Sequence, residues 1–575
     1  MKRCPQCKTT YSDDTLNFCL EDGKWLIDDD AEPATAFLEA EPPTVLMSST
    51  ERQSLSAHGA AQPQESGAHR TAQPQDQAVK PSFDKRLVLA PIALVVIVLA
   101  GFAGYRYFGS AGDGQINSIA VLPFVNRSDD PDTDYLSDGL AESLIFRLTQ
   151  LPGLKVSPTS SVMRYKGNET DVAKIAKELG VDAVMTGRLV KRGDNLNITV
   201  ELVDARNNTS LWGEQYERKM SDLLATQRDI AAVITQKLQL KLSGQEKALT
   251  KQYTNSSEAY QLYLKGRFHF ARRTEDDLNE SIGLFQQAVK LDPNFALAFV
   301  GIAEANTSIP SYPYASPAEC APKAKAAVAR ALELDPELPE AHAVMGWITA
   351  FFDWDYPRAE SEFKKALELD PNLAVSHYRY GWTFLSPLGR HEEAIAEMKK
   401  AMELEPLSIQ QGANYASVLM YAGRLDEALV QARKTYELDK THIGSQHWLC
   451  HALNANGRWD EAIALVLSIK AARSIDTGTL TGCLGYAYAK TGQREKALEV
   501  IAHSKETEKT KYIMNYWVAV QYAGLGDKDA AFAELEKSYK NRDWFLPRLK
   551  TDPFMEPLRG DPRYHDLLKR LNLPD

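Results

Sequence analysis

The chain has 575 residues, so at roughly 150 residues per domain it is expected to divide into about four units. Hydrophobic residues make up 44% and charged residues 25%, and 66 Lys and Arg against 77 Asp and Glu leave a net charge of −11. This balance argues against a protein held to nucleic acid by phosphate contacts, so no nucleic-acid partner is expected. The six cysteines do not suggest a disulfide-dense scaffold, because three crowd the first twenty residues and the other three lie far apart.

The first 26 residues carry a metal-ligand pattern. Cys4 and Cys7 form a Cys-x2-Cys pair, and Cys19 is followed three residues later by Asp22. A structural Zn²⁺ site takes four ligands, of which carboxylate oxygen can be one. The segment resembles the short zinc-ribbon modules of bacterial regulatory and membrane proteins, with Asp22 where a fourth cysteine would stand. Residues 1–26 are therefore predicted to be a zinc-ribbon-like knuckle with a protein partner, the alternative being a metal-free thiol cluster.

A polar stretch and then an uncharged stretch follow the knuckle. Residues 27–84 contain two copies of Ala-Gln-Pro-Gln and few aromatic residues, which predicts a disordered linker. Nineteen consecutive residues from Leu87 to Tyr105 carry no charge, and such a helix nearly spans a hydrocarbon core of roughly 30 Å. We therefore predict a transmembrane helix over 87–107, with a buried core helix as the alternative.

Basic residues flank this stretch unequally. Lys80, Lys85 and Arg86 precede it, whereas Arg106 alone follows it closely. Because positive charge favours the cytoplasmic side, the amino terminus is expected in the cytoplasm. The pattern predicts a single-pass protein of the bacterial inner membrane whose carboxyl-terminal domains are periplasmic or otherwise extracytoplasmic.

Residues 117–245 predict an α/β domain of βαβαββ type. Strands are expected at 118–124, 154–157, 183–190 and 196–203, and helices at 136–151, 171–179 and 220–242. The stretches SIAVLPFVNRSDD, GVDAVMTGRLVKRGDNLNITVELVDA and LWGEQYER resemble the TolB amino-terminal-like domain. The resemblance implies a non-catalytic binding or scaffolding module of the cell envelope.

From residue 257 to residue 545 the chain repeats itself. Glycines recur at positions 389, 423, 457, 492 and 526, a spacing near 34 residues that is the tetratricopeptide signature. Leu-Asp-Pro and Leu-Glu-Pro triplets close the helices, since proline cannot continue a helix. About eight hairpins are predicted to stack into an all-α superhelix, because one hairpin cannot bury its apolar face alone. Residues 546–575 resemble the terminal cap common in bacterial proteins of this type.

The first helices of these hairpins present a shared face. Positions spaced i, i+4 and i+7 lie on one side of a helix, and that side tends to line the concave groove of the array. Aromatic residues with a few polar groups suit an extended peptide or a helix. The predicted partner-binding groove comprises Trp347, Tyr378, Trp382, His447, His451, Asn454, Tyr486 and Tyr516. The alternative for each is a packing role or an isolated surface position.

No catalytic motif emerges from the sequence. Walker, Gly-x-Ser-x-Gly, His-Glu-x-x-His and kinase signatures are all missing, so a non-catalytic role is expected. The sequence predicts a membrane-anchored tetratricopeptide repeat protein that binds protein or peptide partners as a scaffold. Tail and array could each form a homo-oligomer. The alternative is a transmembrane signalling regulator whose output is the cytoplasmic zinc-knuckle tail.

Overall fold

The computed structural model describes residues 116–128, 133–149, 151, 153–167, 171–238, 253–312, 314–472 and 478–573, and the backbone of three short strands before them. Those strands, β1 (Lys2–Arg3), β2 (Thr10–Tyr11) and β3 (Ile27–Asp28), form an antiparallel sheet in the order β2-β1-β3. The four proposed zinc ligands, the linker after β3 and the stretch 87–107 lie outside the described residues.

The predicted fold class is wrong in its transmembrane component. Across the described ranges, no helix combines the length and the apolar character needed to cross a membrane. The longest helix described, Pro317–Leu334, has 18 residues and carries charges such as Glu319, Lys323 and Arg330. Its apolar side packs within the protein, as do those of its neighbours. The fold is an α/β region followed by a helical superhelix.

The α/β domain contains a mixed sheet in the order β6-β4-β7-β8-β9, with β5 (Val125–Asn126) beside β7. Its other strands are β4 (Ser118–Val121), β6 (Lys155–Val156), β7 (Ala183–Arg192), β8 (Asn195–Asp204) and β9 (Thr209–Lys219). Its main helices are Asp134–Thr149, Val172–Leu179 and Leu223–Lys237. Strand β4 pairs in parallel with β6 and β7, whereas β7, β8 and β9 are antiparallel. The predicted βαβαββ order does not include β9. In that strand only Tyr216 is buried, so its sequence lacks the alternation of apolar and polar residues that predicts a strand.

Eight helix pairs follow and are numbered here as repeats 1 to 8. They are Ser257–Arg272 with Glu275–Leu291, Ala296–Ser308 with Pro317–Leu334, Pro339–Ile348 with Tyr356–Leu369, Ala374–Arg379 with His391–Leu404, Ile409–Tyr421 with Leu425–Leu438, Ile443–Ala455 with Trp459–Ala472, Gly478–Lys490 with Arg494–Glu508, and Asn515–Leu525 with Lys528–Asn541. The first helices of repeats 3 and 4 continue as π-helical turns, Thr349–Asp353 and Tyr380–Leu385. Close packing depends on small residues: a Cβ added at Gly266 would lie 2.6 Å from the ring of Phe285.

A histidine ties the loop before repeat 3 to both helices of that repeat. The Nε2 atom of His342 lies 2.9 Å from the carbonyl oxygen of Pro336, and its Nδ1 atom lies 2.7 Å from Oε2 of Glu362. Both partners offer acceptor oxygens, so the two contacts favour the form of the ring that carries protons on both nitrogens. Burial opposes the charged form, but the two acceptors outweigh it and raise the pKa of His342. His377 makes the equivalent two contacts one repeat later.

The His342→Gln substitution is expected to lower the free energy of unfolding by about 1.5 kcal/mol at pH 5.5. Because the folded-state pKa is raised, this stabilisation is complete below the unfolded value of about 6.5 and is lost as the pH rises through the folded pKa. The difference between the variant and the wild type should therefore shrink by pH 9 in urea unfolding experiments. The exposed His565 provides the control substitution, and a difference that is equal at both pH values would contradict the assignment.

A disulfide joins Cys450 of repeat 6 to Cys483 of repeat 7. The two cysteines are isolated in the sequence, but their separation of 33 residues is close to one repeat, so neighbouring first helices bring them together. Both are fully buried. Among the described residues, Cys320 is the free cysteine, and it is buried in repeat 2.

Replacing both Cys450 and Cys483 with serine is expected to destabilise the array by roughly 3–4 kcal/mol, since the bond closes a loop of 33 residues in the unfolded chain. Thermal melting with and without dithiothreitol measures this loss in the wild type. The double variant is the control and should be insensitive to the reductant. An identical melting temperature for the oxidised and reduced wild type would refute the cross-link.

The carboxyl-terminal segment, defined as residues 543–573, returns along the inner surface of repeats 3–8. It contains 3₁₀ turns at Leu546–Arg548 and Pro553–Leu558 and the helix Pro562–Arg570. Its Trp544 stacks on Phe351 of repeat 3 with ring centroids 4.1 Å apart. Further along the segment, Phe554 contacts Tyr486 of repeat 7 with ring centroids 4.8 Å apart. The segment therefore fills space inside the array instead of covering only the last repeat.

Repeat 8 and the carboxyl-terminal segment both contact Trp354 of repeat 3. The ring of Tyr539 lies 5.1 Å from that of Trp354, and the guanidinium of Arg542 lies 4.4 Å from the same indole. Asn572 donates a hydrogen bond to the carbonyl oxygen of Trp354 at 3.3 Å. Trp354 has a φ of 58°, a left-handed conformation that is uncommon for a bulky residue and needs such support. These contacts close repeats 3–8 on themselves.

Candidate partner-binding site

A cavity of about 1180 Å³ lies between the α/β domain and the inner side of repeats 1–5. The α/β domain contributes Gly139, Glu142 and Ser160 to its wall. Helix Asp134–Thr149 approaches repeat 1 closely, since a Cβ added at Gly139 would lie 3.0 Å from the Cβ of Leu264. Apolar residues of both regions belong to one buried cluster. The cavity therefore lies beside a hydrophobic core that the α/β domain and the first repeats form together.

Four charged side chains run along the cavity wall as a continuous series of ion pairs. Glu304 of repeat 2 pairs with Arg379 of repeat 4 at 2.6 Å and with Arg267 of repeat 1 at 2.9 Å. Arg267 also pairs with Glu142 of the α/β domain at 2.9 Å. Glu304 and Arg379 are only 7% and 5% exposed. The series links the α/β domain to three repeats through largely desolvated charges.

Burial and neighbouring charge act in opposite directions on Glu304. Removal from water disfavours the ionised carboxylate, but the guanidinium groups of Arg379 and Arg267 outweigh this effect and lower the pKa of Glu304. The guanidinium of Arg379 also lies 4.9 Å from the ring centroid of Trp347, within cation–π range. The carboxylate thus stays ionised and holds both arginines in place.

Three aromatic residues of the predicted groove line this cavity: Trp347, Tyr378 and Trp382. Tyr378 and Trp382 are stacked with centroids 5.7 Å apart. Asn414 donates to the hydroxyl of Tyr378 at 3.0 Å, and Trp382 donates from Nε1 to the hydroxyl of Ser417 at 2.9 Å. Burial raises the pKa of Tyr378 to about 12. These contacts fix the ring positions, so the aromatic wall is already formed without a partner.

A second contact joins the α/β domain to the array at the loop between repeats 4 and 5. The hydroxyl of Ser160 donates to Oε2 of Glu405 at 3.2 Å, and Gln411 donates to the same oxygen at 2.5 Å. Burial raises the pKa of Glu405 to about 7. The two domain contacts, at repeat 1 and at this loop, bound the cavity on different sides.

The predicted groove residues of repeats 6–8 meet the carboxyl-terminal segment or pack within the array. The rings of His451 and Tyr486 lie 5.6 Å and 4.8 Å from that of Phe554. Tyr516 donates its hydroxyl proton to Asp552 at 2.7 Å. This half of the predicted groove therefore contacts the chain itself.

Two further predicted groove residues, Asn454 and His447, lie in the first helix of repeat 6. Asn454 is buried and donates to the carbonyl oxygen of Cys483 at 2.9 Å, which connects repeats 6 and 7. His447 is half-buried, and burial lowers its pKa to about 3. The structure thus brings three of the eight predicted groove residues to the cavity and places the other five elsewhere.

The ion-pair series was not predicted from the sequence. Glu304 is the single charged residue of the helix Ala296–Ser308, all of whose residues are buried. An isolated carboxylate in an apolar helix requires a partner, and this signal is visible in the sequence. Its partners Arg267 and Arg379 lie 37 and 75 residues away, so only the fold identifies them.

Stacked helix pairs with this period define a protein that contains tetratricopeptide repeats. Among family models, the tetratricopeptide repeat matches residues 362–396, and the second domain of HilA/YgeH-like transcriptional regulators matches residues 115–233. The second model covers the α/β domain to which the TolB resemblance was assigned.

Similar proteins share only part of their length with this chain. A putative adenylate cyclase of Rhizobium meliloti is 31% identical over 187 residues, which is 32% of either chain. The transcriptional regulator HilA of Salmonella typhimurium is 26% identical over 239 residues, or 40% of this chain and 41% of that protein. The match thus spans well under half the length of these relatives. A tetratricopeptide repeat protein of Thermus thermophilus is 20% identical, with 34% of this chain and 98% of that one covered and a TM-score of 0.30.

Proposed function

We propose that this chain is a non-catalytic interaction protein that binds a protein or peptide partner in the cavity between the α/β domain and repeats 1–5. The observation that carries the proposal is the size and wall of that cavity. Its volume of about 1180 Å³ exceeds the range typical of small-molecule sites, roughly 300–1,000 Å³. Tetratricopeptide arrays form extended concave binding surfaces, and this cavity lies against repeats 1–5 with Trp544 of the carboxyl-terminal segment in its wall.

The wall chemistry supports a polypeptide partner. Stacked aromatic rings such as Tyr378 and Trp382 offer apolar area at low entropic cost, as interface hot spots do. The buried charges Glu304 and Arg379 compensate each other, so no strong net charge selects a phosphate or a metal ion. A peptide segment with aromatic or aliphatic side chains and a few hydrogen-bonding groups would match both the aromatic rings and the balanced charges of this wall.

The test compares two valine-to-tryptophan variants of the full chain. Val375 lines the cavity, whereas Val430 is 69% exposed on repeat 5. Partners are first captured by a photocrosslinking amino acid at Tyr312 on the cavity wall, identified, purified and titrated against each variant. We expect Val375→Trp to weaken binding at least tenfold and Val430→Trp to leave it unchanged. Equal affinity for both variants would exclude the cavity as the binding site.

A regulatory role is the second candidate, and the matched relatives favour it. One is named a transcriptional regulator and the other a putative adenylate cyclase, so their names describe different activities. We propose that the part they share with this chain receives a signal and that a separate segment delivers the output. In this chain the amino-terminal strands β1 to β3 flank the proposed zinc ligands and are the candidate output segment. Loss of partner binding on deletion of residues 1–29 would count against separate input and output segments.

Zinc binding by Cys4, Cys7, Cys19 and Asp22 is proposed on the ligand types and on the antiparallel pairing of the strands around them. The full chain is expected to hold one Zn²⁺ per molecule, and Cys4→Ser with Cys7→Ser should abolish it. Elemental analysis after dialysis measures the metal, with Cys320→Ser as the control because that cysteine is buried in the array. Equal zinc in all three proteins would refute the site.

A further inference from the structure

The carboxyl-terminal segment places a buried cation inside the array. Arg548 is fully buried, and it donates from Nη2 to the carbonyl oxygen of Trp382 at 3.1 Å. Burial lowers the pKa of Arg548, with partial compensation from nearby tyrosines. Placing an arginine where water cannot reach it is unfavourable unless its surroundings compensate for the lost hydration.

Aromatic rings from three successive repeats supply that compensation. The guanidinium carbon of Arg548 lies 4.4 Å from the ring centroid of Trp382, 5.2 Å from that of Phe351 and 6.0 Å from that of Tyr421. Phe545 of the same segment lies 5.2 Å away on another side. An aromatic enclosure is a recognised mode of cation binding. Repeats 3, 4 and 5 thus provide one arginine-binding box.

The residues before Arg548 occupy neighbouring parts of the same surface. Trp544 packs on Phe351, and its ring centroid is 5.2 Å from that of Trp347. Phe545 lies 4.7 Å from Trp517 of repeat 8. Two aromatic anchors and one arginine, at spacings of four and three residues, therefore enter adjacent sites in the array.

We propose that the inner surface of repeats 3–8 is a recognition site for a polypeptide segment of the pattern aromatic-aromatic-x-x-arginine, and that residues 543–573 of the same chain occupy it as a tethered ligand. The site adjoins the cavity at repeats 1–5, since Trp347, Trp382 and Trp544 also line that cavity. Its occupant is a segment of the chain itself, so the proposal does not depend on the proposed function. It also accounts for the placement of the predicted groove residues His451 and Tyr486 against the chain itself.

The test converts the tethered ligand into a free one. A specific protease site is inserted between Asn541 and Arg542, which are both exposed, and the purified full chain is cleaved. The released segment should stay bound during size-exclusion chromatography. It should then exchange for a fluorescent synthetic peptide of residues 542–573.

The matched control is the same peptide with Arg548→Ala. Loss of a desolvated cation–π contact, about 2 kcal/mol, should weaken its binding about 30-fold. An Arg548→Lys peptide should bind more weakly than the wild-type peptide, because an ammonium group lacks the planar guanidinium that stacks on rings. Equal binding of wild-type and alanine peptides would overturn the proposal. Release of the segment without rebinding of the wild-type peptide would overturn it as well.

Discussion

Glu304→Ala is expected to reduce the free energy of unfolding by roughly 3–5 kcal/mol. The reason is that Arg379, only 5% exposed, would keep its charge with no carboxylate beside it. Arg267 would retain Glu142 as its partner. The loss should therefore arise mainly from the buried Arg379 and is measured by urea unfolding.

A second substitution separates this mechanism from simple loss of packing. Adding Arg379→Leu to Glu304→Ala removes the unpaired charge, so the double variant should be more stable than Glu304→Ala alone. Glu393→Ala serves as the surface control, because its pairing with Arg390 is solvent-exposed and should contribute under about 1 kcal/mol. A double variant less stable than either single variant would show that packing, not charge, governs the site.

Trp544→Ala is expected to destabilise repeats 3–8 by roughly 3–5 kcal/mol, in line with truncation of a fully buried large aromatic residue. Trp544 is 1% exposed and contacts Phe351, Trp347 and Trp382 with centroid distances of 4.1, 5.2 and 6.2 Å. Its removal would leave a void between repeats 3 and 4 and the carboxyl-terminal segment. Thermal melting followed by far-ultraviolet circular dichroism measures the change.

The half-buried Trp212 on strand β9 provides a matched tryptophan control. Trp212→Ala should cost less than half as much, since the residue lies on a strand that is largely exposed. Limited proteolysis adds an independent readout, because loosening of the carboxyl-terminal segment should expose cleavage sites after residue 543 in Trp544→Ala only. Equal melting temperatures for the two alanine variants would contradict the structural role given to Trp544.

Much of the local structure follows from the sequence. The Leu-Asp-Pro triplets predict where second helices end, and the structure ends them at Leu291, Leu334 and Leu369. The prediction of these helix ends succeeds because proline stops a helix at its own position and the triplets recur at the period of the repeats. The transmembrane component of the predicted fold class was wrong, since no helix among the described residues is long and apolar enough to cross a membrane.

The candidate site was only partly predictable. Trp347, Tyr378 and Trp382, which the repeat pattern places on corresponding helix faces, line one cavity in the structure. Their role in binding a partner stays a prediction. The pairing of Arg379 with Glu304 spans 75 residues, and Ser160 meets Glu405 across 245. No period or local pattern encodes such distances. The first contact depends on how repeats 2 and 4 are placed in the array, and the second on how the α/β domain meets the array.

The contact between the carboxyl-terminal segment and Trp354 has a consequence for how the protein folds. In an open solenoid each unit contacts only its neighbours, so folding can begin at one end and spread as synthesis proceeds. Here Asn572 bonds to a residue 218 positions earlier. Contacts of such sequence separation slow folding, because a long loop must close before they are made. Repeats 3–8 therefore cannot complete their native packing until Asn572 has left the ribosome.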